Sequence, residues 1–129
     1  MKILFDTNVL VSAFIGSGMC YEVIDHAVDE HRIYYTDFVI TEFRRVLKNK
    51  FRYRESLINE FVEFITDFFV EGDTSVIIKN ICRDKNDNQL LADTLQNKVE
   101  ILITGDKDLL DLESYEGIRI ISPEEYWKL

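Results

Sequence analysis

The chain has 129 residues, 47% of them hydrophobic and 30% charged, with five glycines and one proline. That balance fits a single globular domain spanning 1–129, with a core that needs no disulfide or structural metal, and it excludes disordered, collagen-like and low-complexity architectures. Twenty-four acidic against fifteen basic side chains give a net charge of −9, which excludes a general nucleic-acid coat protein but not a local basic groove or a metal-bridged site.

Lys2 to Phe5 is a short apolar run stopped by Asp6, and it reads as a buried strand. Asn8 to Ile15 follows at helical spacing until Gly16-Ser17-Gly18 breaks it, and Cys20 to His31 is a second helical stretch. Arg32 to Thr36 is rich in β-formers, and Asp37 to Lys50 turns helical again. Glu55 to Val70 is the clearest amphipathic helix, with Leu57, Ile58, Phe61, Val62, Ile65, Phe68 and Phe69 at the required offsets. Gly72-Asp73 marks a turn, and Ser75 to Ile78 reads as a short strand. Asp87 to Asn97 is a helix whose start suggests a capping box of Asn86 with Gln89. Glu100 to Thr104 is a second buried strand and Lys107 to Leu112 a short helical turn. Ile118 to Ile121 is a last strand, and Pro123 opens a terminal helix.

Cys20 and Cys82 are too few for a disulfide framework or a zinc site, and His26 and His31 have no ligand-like neighbours. Charge comes too early for a signal-peptide core, and no stretch approaches the roughly 20 apolar residues of a membrane span. A cytoplasmic protein with no membrane association is expected.

Strands alternating with helices imply βαβ units, hence a parallel sheet flanked by helices, with ligands bound beyond the carboxyl ends of the strands. Asp6 and Asp106 both follow buried strands, at the same rim. Glu42 falls inside the apolar stripe Val39, Phe43, Val46 and Leu47, and Asp87 leads the stripe Leu90, Leu91 and Leu95. Each acid has a bland role: Asp6 or Asp106 capping a helix, Glu42 paired with an arginine, Asp87 favouring a helix N-terminus. Together in one crevice they would repel one another, and a hard divalent cation removes that penalty. Such a site points to metal-assisted chemistry on phosphate.

Four blocks carry a resemblance across essentially the whole chain. Asp6-Thr7-Asn8-Val9-Leu10-Val11-Ser12-Ala13, Ile40-Thr41-Glu42-Phe43, Asp84-Lys85-Asn86-Asp87-Asn88-Gln89-Leu90-Leu91 and Thr104-Gly105-Asp106-Lys107-Asp108-Leu109 resemble the PIN-domain nuclease signature in order and spacing. They are most like the small prokaryotic members classed as toxin components of toxin–antitoxin systems (VapC-like). The resemblance implies a three-layer α/β/α sandwich around a parallel sheet of about five strands. It implies a catalytic and metal-binding quartet, Asp6, Glu42, Asp87 and Asp106, with Asn8 and Thr104 in support and Asp84 and Asp108 as outer ligands. The implied activity is hydrolysis of phosphodiester bonds in single-stranded RNA with Mg²⁺ or Mn²⁺. An antitoxin partner is implied as well, and a homodimer is allowed.

Substrate grip on so acidic a chain points to Arg44, Arg45, Lys48, Lys50, Arg52 and Arg54, six of the fifteen basic residues, interleaved with Phe51 and Tyr53. Basic side chains with aromatics suit a single strand, although a solvated helix face explains them equally well. Lys107, next to Asp106, is a further candidate for phosphate contact, ranked below that segment. Three other readings compete. A haloacid-dehalogenase-type phosphatase needs a second aspartate where Asn8 stands, and a Toprim-type domain needs a glutamate where Asp6 stands. The third is a non-catalytic PIN-like scaffold binding RNA or protein.

Overall fold

A computed structural model describes residues 1–129. Its elements run β1 (Lys2–Phe5), α1 (Thr7–Ile15), α2 (Met19–Glu30), β2 (Arg32–Tyr35), α3 (Asp37–Asn49), α4 (Glu55–Phe68), β3 (Val70–Glu71), α5 (Lys85–Gln96), β4 (Ile101–Ile103), α6 (Lys107–Leu112), β5 (Ser114–Tyr115) and β6 (Ile118–Ile121), closed by a 3₁₀ helix at Glu124–Lys128. The strands form one six-stranded sheet in the order β3-β2-β1-β4-β6-β5. Every pairing is parallel except the β5–β6 hairpin. This is an α/β fold with a mostly parallel central sheet flanked by helices, as the alternation of apolar runs anticipates.

The central strands have no amphipathic alternation because both faces are covered. Ile3, Leu4, Phe5, Ile101, Leu102 and Ile103 are all essentially inaccessible to solvent. They belong to a core of 30 buried residues that also takes in Val9 and Leu10 of α1, Phe43 and Leu47 of α3, Ile58 and Ile65 of α4, and Leu90 and Leu91 of α5. No single helix is long and apolar enough to cross a membrane.

What matters for the site is where the chain reverses direction across the sheet. From β1 it passes to β2 on one side, while β4 joins β1 on the other. A crevice therefore opens beyond the carboxyl ends of β1 and β4, the place where a doubly wound sheet offers its ligand site. The register pairs Leu4 with Leu102 and Phe5 with Ile103, so the next residues along, Asp6 and Thr104, come side by side.

Several expected elements are corrected. Ser75 to Ile78 is not a strand: the edge strand β3 comes earlier, and Val76 and Ile77 are 92% and 74% exposed. The backbone there is claimed by side chains. Asn97 clamps Asp73 through both its amide and its carbonyl, and the Ser75 amide donates to Asp93 Oδ1 at 2.8 Å. Helix α4 correspondingly stops at Phe68, leaving Val70 to β3. The Asn86–Gln89 capping box is absent: Asp84 caps α5 by accepting from the Asn86 amide at 2.8 Å. Gln89 instead turns inward, donating to the Ser75 carbonyl and to Asp93. After Pro123 the terminal helix is of the 3₁₀ type.

Candidate active site

Asp6 leaves β1 at its carboxyl end and precedes α1, but its side chain makes no capping hydrogen bond. Instead, Thr104 Oγ1 donates to Asp6 Oδ2 at 2.7 Å. The same threonine hydroxyl accepts from the Asp106 backbone amide at 3.0 Å. Thr104 is wholly buried, so one hydroxyl bridges the ends of β1 and β4 and fixes both acids. Asp106 in turn caps α6, its Oδ1 accepting from the amides of Asp108 at 2.8 Å and Leu109 at 3.3 Å. Each central carboxylate thus has one oxygen secured by the protein.

Asp87, in the first turn of α5, is 7% exposed, and its Oδ2 is buried with no hydrogen-bond partner. Burial, then the charges of Asp106, Asp6 and Asp84, push its carboxyl from 3.8 up to about 7, and a hydrogen bond with Asp106 favours the protonated form further. Burial also raises the Asp6 carboxyl, and the Asp106 charge adds to it, while the hydrogen bond from Thr104 and the amides of Thr7 and Asn8 pull the other way.

Glu42 stands on α3 but not in the core. Its side chain is 18% exposed at the edge of the crevice, where Arg45 grips it with Nη2 on Oε2 at 2.8 Å and Nε on Oε1 at 3.3 Å. Asn86 Nδ2 reaches Oε2 from α5 at 3.5 Å. The helical period that places Glu42 in the apolar stripe ignores the sheet's edge, where that stripe runs out over the crevice.

These groups line one cavity of about 200 Å³, walled by Phe38, Val46 and Leu90 and carrying the carboxylates of Asp6, Glu42, Asp84, Asp87 and Asp106, with Arg45 the one basic residue. Asn8 also lines it. The expected quartet therefore shares a pocket, yet no three His, Cys, Asp or Glu side chains are closed around a common point. Like charges hold apart, and Glu42 is turned to Arg45. The donor set, all oxygen, with one buried oxygen unpartnered, suits a hard cation.

The outer residues are partly spoken for. Asp108 forms a two-pronged pair with Arg83 at 2.9 and 3.0 Å and does not line the pocket. Arg44 is held on α4 by Asn59 at 2.8 Å and by Glu55 at 3.7 Å. Lys48, Lys50, Arg52 and Lys107 are exposed and reach no acid. His26 and His31 lie elsewhere, with His26 Nδ1 at 2.6 Å from the Tyr126 hydroxyl and His31 beside the N-terminal amine.

Behind the site lies a polar hub that the residue pattern does not announce. Asp93 is fully buried and satisfied by Thr36 Oγ1 at 2.7 Å, the Ser75 amide and Gln89 Nε2. Beside it, Asn88 Oδ1 accepts from the amides of Ile81 and Cys82, pinning the loop that leads into α5. Its only signal in the sequence is a polar residue at a core-facing position, one turn beyond Gln89.

Three comparisons with known proteins bear on this geometry. Residues 2–108 match the family described as PIN domain. The fold is similar to the crystal structure of VapBC2 from Rickettsia felis bound to a DNA fragment from their promoter, at a TM-score of 0.67 and 15% identity, over 95% of this chain and 98% of that one. No curated protein matches the chain.

Proposed function

The chain belongs to the PIN domain family, and from that premise we propose that it is a Mg²⁺- or Mn²⁺-dependent endoribonuclease that cuts phosphodiester bonds of single-stranded RNA, the toxin of a toxin–antitoxin pair. The observation that carries this reading is Asp87, a carboxyl 7% exposed with an orphaned oxygen, pushed up to about 7 by burial and by the acids around it. A fold keeps such a group only at a cost, and a hard cation offsets that cost.

Asp6, Glu42, Asp87 and Asp106 would hold the ion, with Asp84 and Asp108 behind them. The chemistry it supplies when bound is acidification of water and neutralisation of charge developing on the phosphate. The chain's own part is positioning. Thr104 and the α6 amides each secure one oxygen, of Asp6 and of Asp106 respectively, and so fix where the two carboxylates stand. No Ser, Cys or His lines the cavity, and with carboxylates placed to hold an ion, water would be the nucleophile.

Exposed Lys48, Lys50 and Arg52 around Phe51, with Lys107 at the first turn of α6, offer charge and an aromatic face to a single strand. A second cavity, of about 420 Å³ between α1, α2 and α4, is lined by Phe14, Tyr21, Ile24, Phe61 and Phe64, with Asp25 and Glu60 at its edge. It fits an antitoxin segment with an apolar anchor flanked by basic side chains. The likeness to VapBC2 supports such a pairing.

The test uses labelled single-stranded RNA with Mn²⁺ or Mg²⁺ against chelator, beside Asp6→Asn and Glu42→Gln. Cleavage should need the metal and vanish in both variants while folding is kept. Variants that cut like the parent overturn the site. RNA binding without cleavage in any form, indifferent to Asp6→Asn, favours a non-catalytic scaffold instead.

A further inference from the structure

We propose that Arg45 is a built-in counter-cation of the acidic pocket: it holds the Glu42 carboxylate while no divalent ion is bound, is exchanged for that ion, and then turns its freed guanidinium to the phosphate of the substrate. This rests on the reading of the pocket as a divalent-cation site.

Helix α3 sets Glu42 and Arg45 three residues apart on one face, so a pairing between them needs no distant element. The contact is a fork, Nη2 on one carboxylate oxygen at 2.8 Å and Nε on the other at 3.3 Å. Both oxygens of Glu42 are therefore engaged, and the side chain cannot serve a metal until the fork opens. Among the quartet, Glu42 is the one member held by a cation of the chain itself. Asp6 is held by a hydroxyl, Asp106 by amides, and Asp87 has an oxygen held by nothing.

The fork is built to open. The Arg45 side chain is 52% exposed against 18% for Glu42, so the guanidinium sits at the mouth and leaves no buried hole behind it. An ion pair this exposed is worth about a 1.5- to 5-fold factor in an equilibrium. A divalent ion among several carboxylates outcompetes it at that modest loss of affinity.

Once released, Arg45 is the sole positive side chain lining the pocket. Its neighbour Arg44 is held on α4 by Asn59 and Glu55 and does not line the cavity. A planar guanidinium matches two phosphate oxygens as it matches two carboxylate oxygens. One residue then serves the empty pocket as counter-ion and the loaded pocket as anion grip, so metal and substrate binding become linked.

The two roles have opposite signs, which makes them measurable. Mn²⁺ alone is titrated calorimetrically into the full chain, its Arg45→Ala, Asp6→Asn and Glu42→Gln variants and the Arg45→Ala/Glu42→Gln double variant. KM and kcat on single-stranded RNA follow at saturating Mn²⁺. Arg45→Ala should bind Mn²⁺ about 2- to 5-fold more tightly, yet raise KM several-fold with a smaller effect on kcat. In the Glu42→Gln background the same substitution should leave Mn²⁺ affinity unchanged. Equal or weaker Mn²⁺ binding by Arg45→Ala overturns the proposal, as does tightening that persists without Glu42, which would be bare charge. An unchanged KM overturns the phosphate role. Asp6→Asn separates the levels: if it too leaves Mn²⁺ binding unaltered, the cation site itself is wrong.

Discussion

Replacing Asp87 by asparagine removes a charge while keeping the shape of a buried side chain, and the structure gives the direction and size of the effect. In the folded chain this carboxyl lies at about 7 instead of 3.8, through burial first and then the charges of Asp106, Asp6 and Asp84. The folded state therefore keeps a proton that the unfolded state gives up. Stability falls as pH rises from about 4 to about 7, and the loss is complete above that window. At about 1.4 kcal/mol for each pH unit, a carboxyl displaced this far costs about 4 kcal/mol when ionised. Water at the pocket mouth, where Asn8, Asp84 and Asn86 are exposed, screens the charges, and we take about half, ~2 kcal/mol. In chelator at pH 8, Asp87→Asn should thus be more stable than the parent, melting about 6–10 °C higher for a chain of this length. At pH 5 the difference should shrink, because the parent carboxyl is then protonated. Mn²⁺ should raise the melting temperature of the parent and leave the variant nearly unmoved. Thermal melts at the two pH values, with and without Mn²⁺, decide it. A variant less stable than the parent at pH 8 in chelator would refute the claim that this carboxylate burdens the metal-free fold.

The Thr104 bridge is testable by shape-preserving change. Thr104→Val should cost about 1–2 kcal/mol in urea denaturation, since it takes the partner from both an Asp6 oxygen and the Asp106 amide in a part-buried position, whereas Thr104→Ser should keep most of the stability. Changing Lys48, Lys50 and Arg52 together to glutamine should leave the melting temperature alone, because all three side chains are exposed. It should weaken binding of single-stranded RNA and flatten the dependence of log K on log salt by about 0.7 for each phosphate no longer neutralised. An unchanged slope would assign those charges to solvation only.

Much of the architecture is legible residue by residue. Ile3-Leu4-Phe5 and Ile101-Leu102-Ile103 read as strands because a sheet covered on both faces needs no alternation, and the acids that stop them mark its rim. Asp87 is conspicuous because an unpaired acid at the head of an apolar stripe has no cheap explanation. Less legible are features decided by pairings far apart in the chain. Val76-Ile77-Ile78 has the composition of a strand, yet Asp93 and Asn97 take the nearby backbone groups a neighbouring strand would need. Gln89 fits a capping box by spacing, but its inward partner Ser75 comes from another segment. That Glu42 pairs with an arginine is an alternative the sequence offers, but only the crevice shows that Arg45 is the partner while Arg44 faces α4. Helical period gives the face of a side chain, not what waits opposite it.

The hydroxyl that ties Asp6 to the end of β4 joins positions 98 residues apart. During synthesis from the amino end, β1 is made 98 residues ahead of the partner that shapes its terminal acid. The crevice cannot assemble until Thr104 and Asp106 have been made, and any product cut short before β4 carries Asp6 on a strand with one flank bare. Strand order alone therefore sets when the crevice can be completed: not before β4 has taken its place beside β1.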